Sequence, residues 1–158
     1  MTAYERLYKF NPCYPSFLRE RTVEQAVADC KKGSWMLWAY AKLYPDNILQ
    51  LTLAKALCAE TAYDLMSADG KALVKAALFY AQGKLHVSAL DSYNKKLSGE
   101  LTHVDAAARA CVFEERPGSA AIHAARAHAM ADWEHFDVAW GKQEALMADI
   151  CRKVLRFD

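Results

Sequence analysis

The spacing of apolar residues along this 158-residue chain is that of amphipathic helices. Through most of the sequence they recur three and four positions apart, which places them on one face of an α-helix. β-branched residues are sparse and do not alternate with polar residues over a useful length, so no strand is predicted. The pattern therefore predicts an all-α fold, a single-domain bundle or array of about seven to eight short helices joined by short turns.

Capping and turn residues divide this pattern into individual helices. Thr22, with Gln25 three residues later, has the sequence of a capping box, and Ser34 is a candidate N-cap for the next helix. Glycines such as Gly83 mark places where helices end. Helices are expected over about residues 23–32, 35–44, 48–66, 71–82, 88–97, 102–113, 120–130 and 132–156, with one continuous helix as the alternative for the last two.

The first 21 residues carry no continuous helical pattern. Pro12 and Pro15 interrupt it, because proline lacks the backbone N–H that a helix interior requires. The aromatic residues of this segment are expected to hold it against the rest of the protein: Tyr8, Phe10, Tyr14 and Phe17. The predicted organisation is an irregular aromatic segment over residues 1–21, packed on a single helical domain over residues 22–158.

Charge and cysteine content limit the possible partners and compartments. Lys and Arg total 20 against 19 Asp and Glu, and no long basic run occurs, so a nucleic-acid partner is not expected. The five cysteines are widely separated and form no C-x-x-C pair, which is typical of reduced thiols in a cytosol. The first residues lack the apolar core of a secretory leader, and no run approaches the roughly 18 apolar residues of a membrane-spanning helix. A cytoplasmic protein without a membrane partner is predicted.

Three polar residues of the alanine-rich C-terminal part have the spacing of a helical metal site. His128, Asp132 and His135 stand four and then three residues apart, which would place two imidazoles and a carboxylate on one helix face. Zinc and non-haem iron use this ligand set. The phrase lacks the general-base glutamate of H-E-x-x-H, so a solvated or interface face is the simpler interpretation. No cofactor is predicted, and the alternative is a protein that binds a divalent transition metal such as zinc.

Two tryptophan-bearing stripes also have helical spacing. Trp35 and Trp38 form the first, and Trp133, Phe136 and Trp140 form the second. Burial in the core is favoured for both, because aromatic side chains contribute the largest apolar area. If one stripe is exposed instead, it is expected to be a protein-binding hot spot.

No motif of the sequence points to catalysis. There is no G-x-S-x-G nucleophile motif, and the six glycines form no phosphate-binding loop. No catalytic residues are therefore predicted, and a protein that is not an enzyme is favoured.

Several phrases of the sequence resemble a known family. They are W-M-L-W at residues 35–38, A-K-A-L-C-A-E at 54–60, D-G-K at 69–71, Y-A-Q-G at 80–83 and A-D-I-C-R-K at 148–153. In this order they are similar to phrases of small all-helical bacterial and prophage-encoded proteins, some of them immunity proteins of toxin systems. The resemblance implies an all-helical protein that acts by binding another protein, and it implies no catalytic residues.

The predicted function is a non-enzymatic protein-binding module that neutralises a partner protein, either a toxin or a host or phage factor. Aromatic and charged side chains commonly anchor such interfaces. The candidate anchors are Tyr40, Tyr44, Arg116 and Trp140. A homo-oligomer is left open. The alternative is a metal-binding helical protein, or a small metal-dependent enzyme, that uses the His/Asp/His face.

Overall fold

The computed structural model describes residues 1–97, 101–112 and 116–158, apart from the side chain of His103. Within these residues it contains ten α-helices and no strand, which confirms the all-α prediction. The helices are α1 (Ala3–Leu7), α2 (Pro15–Arg19), α3 (Val23–Asp29), α4 (Gly33–Leu43), α5 (Ile48–Glu60), α6 (Ala68–Ala81), α7 (Val87–Lys96), α8 (His103–Ala110), α9 (Ser119–Ala131) and α10 (Phe136–Val154). Short 3-10 turns lie at Tyr8–Phe10, Tyr63–Leu65 and Trp133–His135.

Helix α5 lies at the centre of the bundle. It packs against α4, α6, α8, α9 and α10. Buried residues occur all around it, including Ala54, Ala56, Cys58 and Ala59, which have no exposed surface. A helix that is apolar on every side is stable only when other helices surround it. Apolar residues on most sides of α5 therefore favour this central position, in which Thr52 and Lys55 are buried as well.

Alanines line the contacts that α9 makes with α8 and α10. Ala120, Ala121, Ala124, Ala125 and Ala129 of α9 are all fully buried. Side chains this small allow helix axes to approach closely, because interaxial distance depends on the residues at the contact. The alanine-rich stretch is thus an interior layer of the bundle.

Glycine is required where α4 meets α10. A Cβ atom added at Gly33 would lie 2.5 Å from the Cβ of Met147 and 2.8 Å from its carbonyl carbon. A second close approach occurs at Gly118, where a Cβ would lie 2.7 Å from the carbonyl oxygen of Ser34. The N-termini of α4 and α9 and the middle of α10 therefore meet without room for a methyl group.

Two polar side chains of α10 cap other helices. Glu144 is 3% exposed, and its carboxylate accepts hydrogen bonds from the Ser34 backbone N–H at 3.1 Å and the Ser34 hydroxyl at 2.7 Å. Arg152 donates to the carbonyl oxygens of Val27 at 3.0 Å and Cys30 at 2.6 Å, at the C-terminal end of α3. Each charge lies at the helix end of opposite partial charge and satisfies groups that the helix leaves without a partner.

The N-terminal segment is more helical than predicted. This is why the predicted number of helices, seven to eight, was too low. Residues 1–21 contain α1 and α2 in place of the expected irregular chain. Thr2 and Glu5 form a capping box at the start of α1, and Pro15 occupies the first turn of α2, where its missing N–H costs nothing. The buried side chains of Leu7 and Leu18 contribute to an apolar cluster that includes residues of α3 and α4.

Several predicted helix ends also require correction. The capping box of Thr22 and Gln25 is present, but Ser34 lies inside α4 and bonds to α10 instead of capping its own helix. The helix expected over residues 48–66 ends at Glu60, and a separate 3-10 turn follows at Tyr63–Leu65. The predicted end of the sixth helix near residue 113 lies outside the described residues. At Asp132 the backbone leaves helical geometry, so α9 and α10 are separate helices.

None of the helices in the described ranges has both the length and the apolar content needed to span a membrane.

Candidate binding surfaces

The predicted metal ligands lie at the break between α9 and α10. His128 is in the last turn of α9, Asp132 follows that helix, and His135 ends the 3-10 turn before α10. They are therefore not on one helix face, because the geometry changes at Asp132. The three side chains do line one surface depression, which Lys142 and Gln143 complete.

Two of these side chains have partners that limit their use as ligands. The His128 Nε2 atom lies 2.7 Å from the carbonyl oxygen of Thr61 and must donate, since a carbonyl oxygen only accepts. His135 Nδ1 lies 3.1 Å from an Asp132 carboxylate oxygen on the surface. In the described part of the chain, no three His, Cys, Asp or Glu side chains are arranged to hold a metal ion. Metal binding stays a prediction: the three residues share a depression, but they are not arranged as a ligand set.

Tyr40, the first predicted partner anchor, is a core residue. It has no exposed surface, and its ring packs against the rings of Tyr44 and Phe157 at centroid distances of 4.9 and 5.3 Å. Its hydroxyl donates to Gln50 Oε1 at 3.0 Å and accepts from Asn47 Nδ2 at 3.2 Å. The ring is enclosed, so it offers no surface to a partner. Its assignment as an anchor is corrected on this ground.

Tyr44 is half-buried and joins the two ends of the chain. Its hydroxyl donates to the carbonyl oxygen of Asp158 at 2.5 Å and accepts from an Arg6 guanidinium nitrogen at 3.4 Å. The Arg6 guanidinium carbon lies 5.9 Å from the ring centre, within range of a cation–π contact. These intramolecular contacts occupy the polar end of Tyr44.

Trp140 belongs to a row of three aromatic rings, which we call the aromatic ladder: Trp133, Phe136 and Trp140. The ring centroids are 5.7 Å apart between Trp133 and Phe136 and 5.8 Å apart between Phe136 and Trp140. Trp140 is half-buried against the core, whereas Trp133 is 74% exposed. Core burial, favoured from the sequence for this stripe, therefore applies only to its Trp140 end.

Exposed apolar and acidic residues occur in the same segment as the ladder. Met130 and Val138, close in sequence to the ladder, are each about half exposed. Asp132, Glu134 and Asp137 are exposed in this segment as well. Apolar side chains surrounded by charged ones are typical of protein-binding surfaces.

The other tryptophan stripe lines a cavity of about 470 Å³, which we call the α4 cleft. Trp35 and Trp38 are half-buried on one wall, and Arg116 contributes from the turn that precedes α9. Arg116 itself is exposed. Both tryptophans and this arginine were predicted as candidates from the sequence, but not as one site, because α4 and the turn are about 75 residues apart in the chain.

The thiols divide into one exposed group and four buried ones. Cys13 is exposed, and Cys30, Cys58, Cys111 and Cys151 are buried. Burial raises the pKa of Cys111 to about 12. The hydrogen bond with Cys151, at an Sγ–Sγ distance of 3.9 Å, and burial raise the pKa of Cys58 well above its ordinary value. Cys58 and Cys111 therefore stay protonated at neutral pH, and the buried cysteines pack as small apolar residues, as expected from the sequence.

Comparison with models of protein families, with curated proteins and with solved structures gives no match for this chain. The candidate surfaces are therefore the aromatic ladder and the α4 cleft, identified from the geometry of this protein.

Proposed function

We propose that this protein is a non-enzymatic, cytoplasmic binding module that neutralises a partner protein and contacts it through the aromatic ladder. This is also the mode of action implied by the resemblance to immunity proteins of toxin systems. The observation that carries the proposal is the exposure of Trp133 at the end of a row of rings anchored in the core.

The ladder holds its exposed ring in a defined place. Trp140 packs on the core, Phe136 packs on Trp140, and Trp133 contacts Phe136. The Trp133 side chain is therefore ordered before a partner covers it, and binding costs less side-chain entropy. Tryptophan is also the residue type most enriched among binding hot spots.

The acidic residues of this segment indicate the chemistry of the partner. Asp132, Glu134 and Asp137 are exposed and add negative charge to the segment that carries the rings. A complementary surface has an apolar pocket for the Trp133 ring and basic residues around it. Of the four predicted anchors only Trp140 belongs to this surface. Arg116 precedes α9 and Trp133 follows it, so a helix of about 20 Å separates them.

The experiment is a comparative capture from extracts of the native host, with the immobilised protein and two variants. Trp133→Ala removes the exposed ring, and Phe79→Ala removes a similarly apolar, half-exposed ring on α6 as the matched control. We expect a protein that the wild type and Phe79→Ala retain and Trp133→Ala loses. Its purified form should bind Trp133→Ala about 30-fold more weakly, as expected for a hot spot.

Two results would contradict the proposal. One is the absence of any protein retained by the wild type under gentle conditions. The other is a retained protein that binds Trp133→Ala as well as it binds Phe79→Ala. If the retained protein is a second copy of this chain, sedimentation of the purified protein will show a dimer that Trp133→Ala dissociates.

The metal-binding alternative has one observation in its favour, since His128, Asp132 and His135 line the same depression. Elemental analysis of protein purified without a histidine tag tests it. A stoichiometric metal that is lost in His135→Ala would support it, and a substoichiometric metal unchanged in that variant would remove it.

A further inference from the structure

The α4 cleft has the size and lining of a small-molecule site. Its volume of about 470 Å³ lies within the range of roughly 300–1,000 Å³ common for ligand pockets. Most of its wall is apolar and comes from the N-terminal segment, α4 and α9: Leu7, Leu18, Trp35, Trp38, Ala39 and Ile122. Such a wall favours a ligand with an apolar body, and the two indole rings favour a flat one.

Two cations from separate parts of the chain line the same cleft. Lys42 comes from α4 and Arg116 from the turn before α9. Neither forms an ion pair with a carboxylate of the described residues, and no described Asp or Glu lines the cleft. The Lys42 ammonium lies 5.8 Å from the centre of the Phe10 ring, a cation–π contact that leaves its positive charge in place. Both positive charges favour an anion in the cleft.

The first turn of α9 adds to this positive potential. Gly118 and Ser119 line the cleft, and among the described residues no side chain caps the 13-residue helix that begins there. The positive end of the helix dipole thus lies on the same side as Arg116. This contribution is secondary to the two cations.

We infer that the α4 cleft binds a small organic carboxylate with an apolar body, a function separate from the protein contact at the aromatic ladder. Both cations line the cleft and favour an anion there, and arginine can hold a carboxylate through two parallel hydrogen bonds. A phosphate ester is disfavoured, because a doubly charged group loses more hydration in a cavity with apolar walls.

Cys13 provides a direct reporter of occupancy. It is exposed and lines the cleft, whereas the other four cysteines are buried. A thiol reagent added to the native protein therefore reacts first at Cys13. A ligand in the cleft covers this thiol and slows the reaction.

The experiment measures the rate of Cys13 modification by a coloured aromatic disulfide, together with binding heats, for two probe pairs. The pairs are 4-phenylbutyrate with 4-phenyl-1-butanol, and octanoate with 1-octanol, so that each carboxylate has a neutral counterpart. We expect saturable protection of Cys13 by at least one carboxylate, with its alcohol about tenfold weaker. A lack of saturable protection and heat with both carboxylates up to about 5 mM would overturn the inference.

Matched variants separate the anion contact from the apolar wall. Arg116→Gln and Lys42→Gln should each weaken the carboxylate about tenfold while they leave the alcohol within about twofold. Lys84→Gln, an exposed lysine outside the cleft, serves as the charge control and should change neither. Equal binding of acid and alcohol, or a carboxylate unaffected by both Gln variants, would contradict an anion site.

A further variant keeps this inference distinct from the proposed function. Trp133→Ala should leave carboxylate binding unchanged, since Trp133 does not line the cleft. Trp38→Ala should weaken the acid and the alcohol alike, because it removes apolar wall. The melting temperature of each variant confirms that its fold is retained, and loss of binding by a folded Trp133→Ala would contradict the separation of the two sites.

Discussion

The junction of α4, α9 and α10 and the aromatic ladder share one helix but differ in packing. At the junction, defined by Gly33, Ser34, Gly118, Glu144 and Met147, an added methyl group meets backbone or Cβ atoms closer than 3 Å at both glycines. The ladder starts at Trp140, about one helical turn before Glu144 on α10, and it ends at Trp133 in the 3-10 turn before α10, with a ring that is 74% exposed.

This difference in packing indicates that the junction contributes mainly to stability and that the ladder is suited to partner binding. Close packing at the junction means that small changes alter the free energy of unfolding, since an interior has few voids that can absorb them. The exposed ring contributes little to that free energy, because most of its surface remains in water in the folded state. A partner can therefore use the ladder without a structural change in the core.

The largest effect is expected at the junction, for Gly33→Ala. The added Cβ at position 33 would lie 2.5 Å from the Cβ of Met147 and would also meet backbone atoms of α10, which cannot move aside as a flexible side chain can. We expect a loss of about 3 kcal/mol in the free energy of unfolding, as for an overpacked core. Denaturant titration followed by circular dichroism measures it.

The control for this change is Gly141→Ala, also in α10. A Cβ at Gly141 has no atom within 4 Å, so the added methyl meets open space. Alanine is the better helix former, and the variant should gain about 0.5–1 kcal/mol. Equal effects of the two substitutions would show that the junction is less closely packed than described.

A smaller loss is expected for Glu144→Ala. The substitution leaves the buried N–H and hydroxyl of Ser34 without their acceptor, and we expect a loss of about 2 kcal/mol. Glu144→Gln retains one acceptor oxygen and should lose about half as much. Glu60→Ala, at an exposed carboxylate, is the control and should stay within about 0.5 kcal/mol. The same denaturant titration distinguishes these values, and a loss for Glu60→Ala equal to that of Glu144→Ala would contradict the buried-acceptor argument.

The helices were largely predictable because their signals are local. Apolar spacing and the Thr22 capping box place α3 close to its observed position. Helix α6 begins three residues before its predicted start, where the Ser67 side chain caps it. The short helices α1 and α2 were missed, since five residues are too few for a periodic pattern. The break at Asp132 was one of two open alternatives, because no proline or glycine marks it.

The candidate sites were less predictable because they depend on contacts between distant residues. Tyr40 was predicted to be a partner anchor on the surface, but Gln50 and Asn47 satisfy its hydroxyl in the core. No feature of the sequence marks Lys42 as a binding residue, and it becomes a candidate only because it lines the same cleft as Arg116. Burial of Glu144 did have a signal, since Glu144, Ala148 and Cys151 stand four and three residues apart on the apolar face of α10.

The smallest effect on stability is expected at the ladder, for Trp133→Ala. Because the ring is 74% exposed, its removal should change the free energy of unfolding by no more than about 0.5 kcal/mol. Trp140→Ala is the matched comparison and should cost about 2 kcal/mol, since its half-buried ring packs on the core. Thermal and denaturant unfolding of the two variants measure the difference. A large loss for Trp133→Ala would mean that the ring supports the break between α9 and α10, and loss of partner binding in that variant would then be a folding effect and not removal of a contact.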